Sequence, residues 1–168
     1  VRGILALFDA LGLDTALAAP TGRAAKRMSQ VCMREAKTIH RLLEAGYGDG
    51  NSELIFQIDD TNPIDADVII IDEMSMVDIQ LLHSLLRAIP GNKRIILVGD
   101  PDQLPPVGPG FPFSDMLRSG MLPSVRLTEI FRQAQESLIV MNAHRVNNGQ
   151  MPELRDTKKD FFFLNTAA

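Results

Sequence analysis

The sequence predicts an α/β fold in which a largely parallel sheet is covered by helices on both faces. Two short runs, Val68–Ile71 and residues 95–98, are apolar without polar alternation, as expected of strands buried on both faces. Stretches with helical periodicity lie between the predicted strands, which favours crossover helices and parallel pairing. Polar clusters follow four of the strands, and in such sheets ligands bind at the edge where the strands' carboxyl ends meet.

The composition and net charge of the chain limit the classes of protein to which it can belong. The chain has 168 residues, of which 45% are hydrophobic and 23% charged, which is enough for a sizeable core. The net charge of −4 gives no overall attraction to nucleic acid, so DNA contact would require a local basic patch. No apolar run approaches the ~20 residues that span a membrane. The single cysteine, Cys32, excludes an internal disulfide and favours a reducing, cytoplasmic compartment.

The elements can be assigned in order along the chain. The first is a helix whose predicted buried face comprises Ile4, Leu7, Phe8 and Leu11, and which ends at Gly12. No cap residue precedes it, so the chain is expected to be truncated at its N-terminus. Strands are predicted at 15–19, 68–71, 95–98, 125–127 and 161–164. One helix is predicted to begin at 23, three to span 36–45, 78–89 and 113–119, and one to end at 147. In the helix 78–89, the residues on one side are Ile79, Leu82, Leu86 and Ile89. Residues 47–62 are rich in Gly and Asp and are predicted to form a surface insertion, with 54–58 as one arm of a hairpin.

Two adjacent acids, Asp72 and Glu73, end the apolar strand Val68–Ile71. Neighbouring carboxylates repel each other unless a metal ion or an arginine lies nearby. A carboxylate at a strand tip suits Mg²⁺ binding through water beside a nucleoside triphosphate, and its neighbour can polarise the attacking water. Asp72 is therefore predicted to serve the metal and Glu73 to act as general base. The alternative is that Asp72 caps the next helix and Glu73 is solvated.

Two further polar residues are predicted at the same edge. Gly99 allows a sharp turn after the strand 95–98, and prolines stiffen the loop that carries Gln103. This amide is suited to sense a phosphate oxygen or to orient a water, although an exposed glutamine on a proline-rich loop is the alternative. Arg132 follows the predicted strand 125–127, and a guanidinium matches phosphate geometry. Its alternative role is a salt bridge, for example to Glu129.

A candidate anion site follows the first predicted strand. Thr21 and the Gly22 amide lie at a helix N-terminus, which favours phosphate, and that phosphate could belong to a nucleic-acid backbone. Arg23, Lys26 and Arg27 lie on one side of this helix, a pattern that also fits a solvated face. The chain contains no GxxxxGK[ST] phosphate loop. Because that loop normally precedes the first helix, and the chain begins in a helix, truncation is the predicted explanation.

Six motifs occur in order: LAAPTGRAAKRM, KTIHRLL, VIIIDEMSMVD, ILVGDPDQLPPVGPG, LTEIFRQ and NAHRVNNGQMP. Together they resemble the RecD-like DNA helicases, the exodeoxyribonuclease V alpha subunit family in the B branch of helicase superfamily one. The resemblance covers residues 17–152. It implies a RecA-like P-loop NTPase fold and the first lobe of a motor that uses ATP and Mg²⁺ to move 5′ to 3′ on single-stranded DNA, in DNA repair or recombination.

The resemblance also implies roles for individual residues. Asp72 and Glu73 match the metal-binding and water-activating pair, and Gln103 matches the residue that couples the γ-phosphate to DNA. Arg132 matches the arginine that reaches the γ-phosphate. The implied DNA contacts are Pro20, Thr21, Gly22, Arg23, Lys26, Thr38 and His40.

The implied organisation is a partial motor lobe at 1–152, with the insertion at 47–62 and the start of a connection to a following domain at 153–168. The implied partners are single-stranded DNA, a second RecA-like lobe of the same protein and, as a further candidate, the nuclease and helicase subunits of a RecBCD-type complex; no membrane is implied. The fragment alone is expected to be inactive because the phosphate loop and the second lobe are absent. A Pif-type or relaxase-type helicase lobe, and a non-catalytic module that binds DNA or a partner subunit, remain alternatives.

Overall fold

The computed structural model describes residues 1–47, 54–127, 137–154, 160–162 and 164, which belong to two compact units, Val1–Leu122 and Pro123–Ala168. Within the described residues, the first unit contains a four-stranded parallel sheet and a two-stranded antiparallel sheet. Its helices are α1 (Arg2–Ala10), α2 (Gly22–Cys32), α3 (Ile39–Leu42), α4 (Ile79–Arg87) and α5 (Pro112–Ser119). Its strands are β1 (Thr15–Ala19), β2 (Lys37–Thr38), β3 (Ala45–Tyr47), β4 (Leu54–Phe56), β5 (Val68–Ile71) and β6 (Arg94–Leu97).

The larger sheet has the order β2-β1-β5-β6, with β5 in its interior. All four residues of β5 are fully buried, because its side chains alternate between two separate cores. Val68 and Ile70 pack with residues of α1 and α2 on one face. Ile69 and Ile71 pack with residues of α3 and α4 on the other face. The predicted parallel α/β sheet is therefore confirmed, and its two covered faces explain the uniformly apolar sequence of β5.

The strand order places a change of direction between β1 and β5. From β1 the chain leads through α2 to β2 on one side, and it then returns to β5 on the other side of β1. It continues through α4 to β6, so that α2 and α4 cover opposite faces. Ligands of open α/β sheets bind beyond the strands' carboxyl ends at such a change of direction. Pro20 and Asp72 follow β1 and β5, the two strands between which the order changes direction.

The hairpin expected near residue 54 is present as β3 and β4, which pair antiparallel with Tyr47 opposite Leu54. Its connecting residues 48–53 lie outside the described residues. The side chains of Tyr47, Leu54 and Ile55 are exposed, although they are apolar or aromatic. The extent of the predicted insertion, 47–62, stays a prediction.

The buried face of α1 differs from the predicted one. Leu5 is buried and Ile4 and Phe8 pack beside it, whereas Leu7 and Leu11 are 58% and 61% exposed. The helix carries two overlapping apolar stripes with the same spacing. Periodicity cannot choose between them, and the position of α1 against β5 and α2 does.

The same ambiguity affects α4. The predicted face included Ile79 and Leu86, which are about half exposed, whereas Leu82 and Leu85 are the buried leucines. Ala88 is buried beside them and belongs to the same core as β5. The helix therefore faces the sheet through a stripe rotated from the one that spacing alone suggested.

The second unit contains one described helix, α6 (Leu138–Asn147). Ser137 caps it by accepting the N–H of Val140, and Gly149, with a φ of 71°, follows its end as predicted. The predicted strand 125–127 is wrong, because these residues are irregular and exposed. A strand requires a neighbouring strand for its N–H and C=O groups, and a three-residue apolar run does not identify one. Residues 161, 162 and 164 of the other predicted strand are irregular too.

None of the described helices is both long and apolar enough to cross a lipid bilayer.

Asp67 joins chain segments at the amino-terminal edge of the sheet. One carboxylate oxygen accepts the N–H of Asp14 at 3.0 Å, and the other accepts from Lys93 Nζ at 3.3 Å. The Asp14 N–H, and then Lys93, lower the pKa of Asp67 below its ordinary 3.8. The ionised form is thus favoured in the folded protein. Its contribution to the free energy of unfolding is complete above the ordinary pKa of 3.8 and is lost as the pH falls through the lowered pKa.

Asp67→Asn is therefore expected to be less stable than the parent chain near neutral pH and to approach it in acid. Melting temperatures of the two proteins, measured by circular dichroism between about pH 6 and about pH 2.5, would test this. A difference in melting temperature that stays constant over the whole range would contradict the assignment.

Candidate functional site

The acid pair lies directly after β5, at the carboxyl edge of the sheet. The N–H of Asp72 donates to the carbonyl of Ala18 at 2.9 Å, which fixes this residue against β1. Glu73 has a φ of 56° and a ψ of 40°, a left-handed conformation that costs a residue with a side chain roughly 1–2 kcal/mol. Met74 then donates its N–H to Val98 at 2.9 Å. The backbone at Glu73 is therefore held between the strands on either side of β5.

The capping alternative for Asp72 is wrong. Its Oδ1 accepts the N–H of Glu73 at 3.0 Å, and a 3₁₀ turn, Met74–Met76, separates it from α4. The residue that caps α4 is Asp78, whose Oδ1 accepts the N–H of Leu81 at 2.8 Å.

Both acids line a depression of about 280 Å³ that α2 borders. Arg27 also lines it, although the sequence grouped this residue with the basic patch at the start of α2. Within the part of the chain that the structure describes, no ion pair joins Arg27 to either acid. Helical spacing gave no indication that Arg27 shares a cavity with the acids, because that depends on how α2 packs over β5.

The donor set at Asp72 fits a magnesium ion bound mainly through water. One oxygen of the Asp72 carboxylate accepts the Glu73 N–H, and its other oxygen has no hydrogen bond to any described residue. Among those residues, no group of three or more His, Cys, Asp or Glu side chains could hold a metal ion. Mg²⁺ in nucleotide sites typically uses one or two carboxylates together with waters and phosphates, so one available carboxylate oxygen suits it.

Gln103 lies on the loop after β6 and is exposed. It lines a second cleft, of about 400 Å³, with Ser75 and Phe113 among the other lining residues. The structure thus places Asp72 and Glu73 in one depression and Gln103 in a separate cleft. Residues of the turn after β5 line both, with Glu73 in the depression and Ser75 in the cleft. Arg132 lies outside the described residues, so its position at this edge stays a prediction.

The loop that carries Gln103 is packed against the acid loop at its start. A Cβ atom on Gly99 would lie 3.0 Å from Phe113 Cε1 and 3.1 Å from the backbone nitrogens of Met74 and Ser75. Only glycine allows so close an approach without displacing a neighbour. Gly99 therefore allows the loops after β5 and β6 to lie in contact, whereas the turn itself lies at residues 101–102, where Gln103 donates its N–H to the carbonyl of Asp100 at 3.2 Å.

The end of the same loop is packed against the start of α4. A Cβ atom on Gly108 would lie 1.9 Å from Oδ2 of Asp78. The carbonyl of Pro109 accepts the N–H of Ile79 at 3.0 Å. Both ends of the Gln103 loop are therefore packed against the segment that follows the acid pair.

The two candidate DNA segments follow neighbouring parallel strands. Ala19 of β1 lies opposite Thr38 of β2, so the residues after each strand emerge side by side. Thr21 caps α2 by accepting the N–H of Ala24 at 3.2 Å, and Thr38 caps α3 by accepting the N–H of Arg41 at 3.2 Å. The predicted helix 36–45 is correspondingly shorter, because its first residues form β2 instead.

The remaining candidate DNA contacts differ in exposure. Gly22, Arg23 and Lys26 are exposed at the start of α2, and Pro20 is partly buried. His40 is partly buried, and its ring contacts the ring of Phe56 with centroids 5.9 Å apart. This contact gives His40 a packing role against β4 in addition to any role in binding.

The fold and the site define a class. A parallel sheet with two acids at the tip of an interior strand, next to a glutamine loop at the tip of the adjacent strand, is the arrangement of a P-loop NTPase lobe. A family model for the AAA domain matches residues 1–109, and the chain belongs to that family.

Within that class, the similarity is to RecD-type proteins. The chain is 40% identical over 157 residues to the ATP-dependent RecD2 DNA helicase of Deinococcus radiodurans, covering 94% of this chain and 21% of that protein. It is 38% identical over 118 residues to the RecBCD enzyme subunit RecD of Mycobacterium tuberculosis, covering 61% of this chain and 20% of that protein. The chain thus spans about a fifth of the length of these relatives. The resemblance to RecD-like helicases predicted from the motifs is confirmed.

The fold agrees with a solved helicase. The structure of Bacteroides Pif1 bound to single-stranded DNA matches with a TM-score of 0.55 and 20% sequence identity, over 92% of this chain and 44% of Pif1. At this identity the match concerns the fold alone, and it supports the predicted RecA-like architecture.

Proposed function

We propose that this chain is part of an ATP-dependent DNA helicase that couples ATP hydrolysis to 5′-to-3′ movement on single-stranded DNA. The observation that carries the proposal is the order of the sheet. Strands β2 and β1 end in the two candidate DNA segments, and β5 and β6 end in the acid pair and the Gln103 loop. The similar RecD2 protein of Deinococcus radiodurans is an ATP-dependent DNA helicase by name, and we extend that activity to the complete protein that carries this chain.

In this proposal the acids divide the chemistry between them. Glu73 accepts the proton of the water that attacks the γ-phosphate, a step for which a positioned carboxylate is suited. Asp72 would hold magnesium through water, and that ion would supply positive charge beside the phosphates. Gln103, which lines the neighbouring cleft in the structure, turns toward the γ-phosphate when nucleotide binds, and Arg132 stabilises the transferred group. A second RecA-like lobe completes the pocket.

Strand β1 offers a physical link between hydrolysis and DNA. Its carbonyl at Ala18 accepts the N–H of Asp72, and Thr21, three residues further on, begins the DNA segment. The N–H groups of Gly22 and Arg23 at the start of α2 have no acceptor among the described residues, so they remain for a phosphate. Arg23 and Lys26 add positive charge beside them. We infer that displacement of the acid loop during the ATP cycle moves this DNA segment through β1.

The wider organisation belongs to the same proposal. Residues 1–152 form the partial motor lobe with the insertion at 47–62, and 153–168 begin the connection to the next domain. The complete protein acts in the cytoplasm, in DNA repair or recombination. Because one relative is named as a RecBCD subunit, nuclease and helicase subunits are candidate partners.

The complete protein is expected to hydrolyse ATP in the presence of single-stranded DNA and to do so far more slowly without it. It is also expected to displace streptavidin from the 3′ end of a biotinylated oligonucleotide and not from the 5′ end, as movement from 5′ to 3′ requires. The 168-residue chain alone serves as the comparison and is expected to be inactive. DNA binding without ATP hydrolysis by the complete protein would favour the non-catalytic module, and displacement from the 5′ end would contradict the direction.

A further inference from the structure

Ser75 is a buried polar residue to which the proposed mechanism gives no role. It lies two residues after Glu73 in the 3₁₀ turn, and only 8% of its surface is exposed. Its hydroxyl is buried and has no hydrogen-bond partner among the residues that the structure describes. Buried hydroxyl groups nearly always have a partner, so one without a partner suggests that its partner arrives in another state of the protein.

The cleft that Ser75 lines identifies the partner. Gln103 lines the same cleft, and its side-chain amide likewise has no hydrogen bond to any described residue. The two segments already touch, because a Cβ atom on Gly99 would lie 3.1 Å from the Ser75 backbone nitrogen. A hydroxyl both donates and accepts, so it can bind either end of a glutamine amide.

We propose that Ser75 is a positioning residue for Gln103. In the nucleotide-bound state its hydroxyl hydrogen-bonds the Gln103 amide and holds that amide in its working orientation. Ser75 and Glu73 belong to one turn, so the bond fixes Gln103 to the loop that carries the general base. This inference rests on the proposed function, since it assigns a second residue to the same ATP-hydrolysing site.

The test is a double-mutant cycle in the complete protein with Ser75→Ala, Gln103→Ala and the double variant. Loss of one hydrogen bond is expected to lower the DNA-stimulated kcat of Ser75→Ala by roughly 5- to 10-fold, with the KM for ATP changed by less than about twofold. Because Ser75 acts through Gln103, the double variant is expected to match Gln103→Ala. The melting temperature of Ser75→Ala without nucleotide is expected not to fall, because the lost hydroxyl has no partner among the described residues in that state.

Ser114→Ala is the matched control, because Ser114 lines the same cleft and is partly exposed. It is expected to leave kcat unchanged. If the unsubstituted protein shows no DNA-stimulated hydrolysis, the proposed function fails and this inference fails with it. If hydrolysis is present, the inference alone is overturned when the two substitutions lower kcat multiplicatively in the double variant, or when Ser75→Ala loses hydrolysis that Gln103→Ala retains. A lowered melting temperature of Ser75→Ala would also overturn it, because it would indicate a structural role.

Discussion

Glu73→Gln is expected to lower DNA-stimulated ATP hydrolysis by the complete protein by roughly 10²- to 10⁴-fold, the range for removing a general base. The amide has nearly the same shape as the carboxylate but cannot accept the proton of the attacking water. Nucleotide affinity is expected to change little, because Asp72 is unaltered and its Oδ1 remains bound to the Glu73 N–H. The variant is therefore expected to bind ATP and to stall before hydrolysis.

Steady-state hydrolysis at saturating DNA, and titration with a fluorescent non-hydrolysable ATP analogue, measure the two quantities separately. Glu44→Gln is a matched control, because Glu44 is also a glutamate in the left-handed conformation, with a φ of 50°, and it is exposed. It is expected to retain normal turnover. Steady-state hydrolysis retained by Glu73→Gln would exclude Glu73 as the base.

The backbone at Glu73 supports a functional reason for this residue. A left-handed conformation is easiest for glycine, and glycine at this position would relieve roughly 1–2 kcal/mol. It would also remove the carboxylate from the tip of β5. Strained backbone of this kind persists where the surrounding structure fixes it, and here hydrogen bonds to Ala18 and Val98 flank the residue. Met33 and Glu44 also have left-handed backbones, so the functional role of Glu73 is inferred from its position at the carboxyl end of β5 as well as from its conformation.

The sequence predicted the features that depend on local pattern. A strand buried on both faces produces a run such as Val68–Ile71, and the acids at its end lie at the sheet edge for the same reason. The glycine-rich and proline-rich loop after β6 was predicted because its conformational demands appear in its composition. Thr21 was placed at a helix N-terminus and does cap α2, whereas the cap at Thr38 was missed because residues 36–45 were predicted to form one helix.

Features that depend on packing between elements could not be predicted. The choice of Leu5 over Leu7 as the buried side of α1 is made by its neighbours, because the apolar spacing is the same for both stripes. The inclusion of Arg27 in the acid depression depends on how α2 lies over the sheet. The Ser75 hydroxyl, which has no hydrogen-bond partner among the described residues, belongs to a turn whose sequence, MSM, gives no indication of burial.

Gly108→Ala is expected to destabilise the chain by about 1–3 kcal/mol, the usual cost of adding a methyl group to a filled site. The new Cβ atom would lie 1.9 Å from Oδ2, 2.6 Å from Cγ and 2.8 Å from Cβ of Asp78. Rotation of the carboxylate could relieve the first of these contacts but not the last. Rotation would also break the N-cap hydrogen bond that Asp78 accepts from the Leu81 N–H, and such a cap contributes about 1 kcal/mol.

The source of the cost can be isolated with Asp78→Gly, because glycine is tolerated at a helix N-cap at a cost of only a few tenths of a kcal/mol. In that background the obstructing atoms are gone, so Gly108→Ala is expected to cost far less than it does alone. Urea unfolding of the parent, the two single variants and the double variant measures the coupling. Gly91→Ala is the control, because no atom in the described part of the chain lies within 4 Å of the added Cβ. Equal costs in both backgrounds would contradict the contact between Gly108 and Asp78. Since that contact ties the end of the Gln103 loop to α4, a large coupling would also mean that the loop's position depends on the start of this helix.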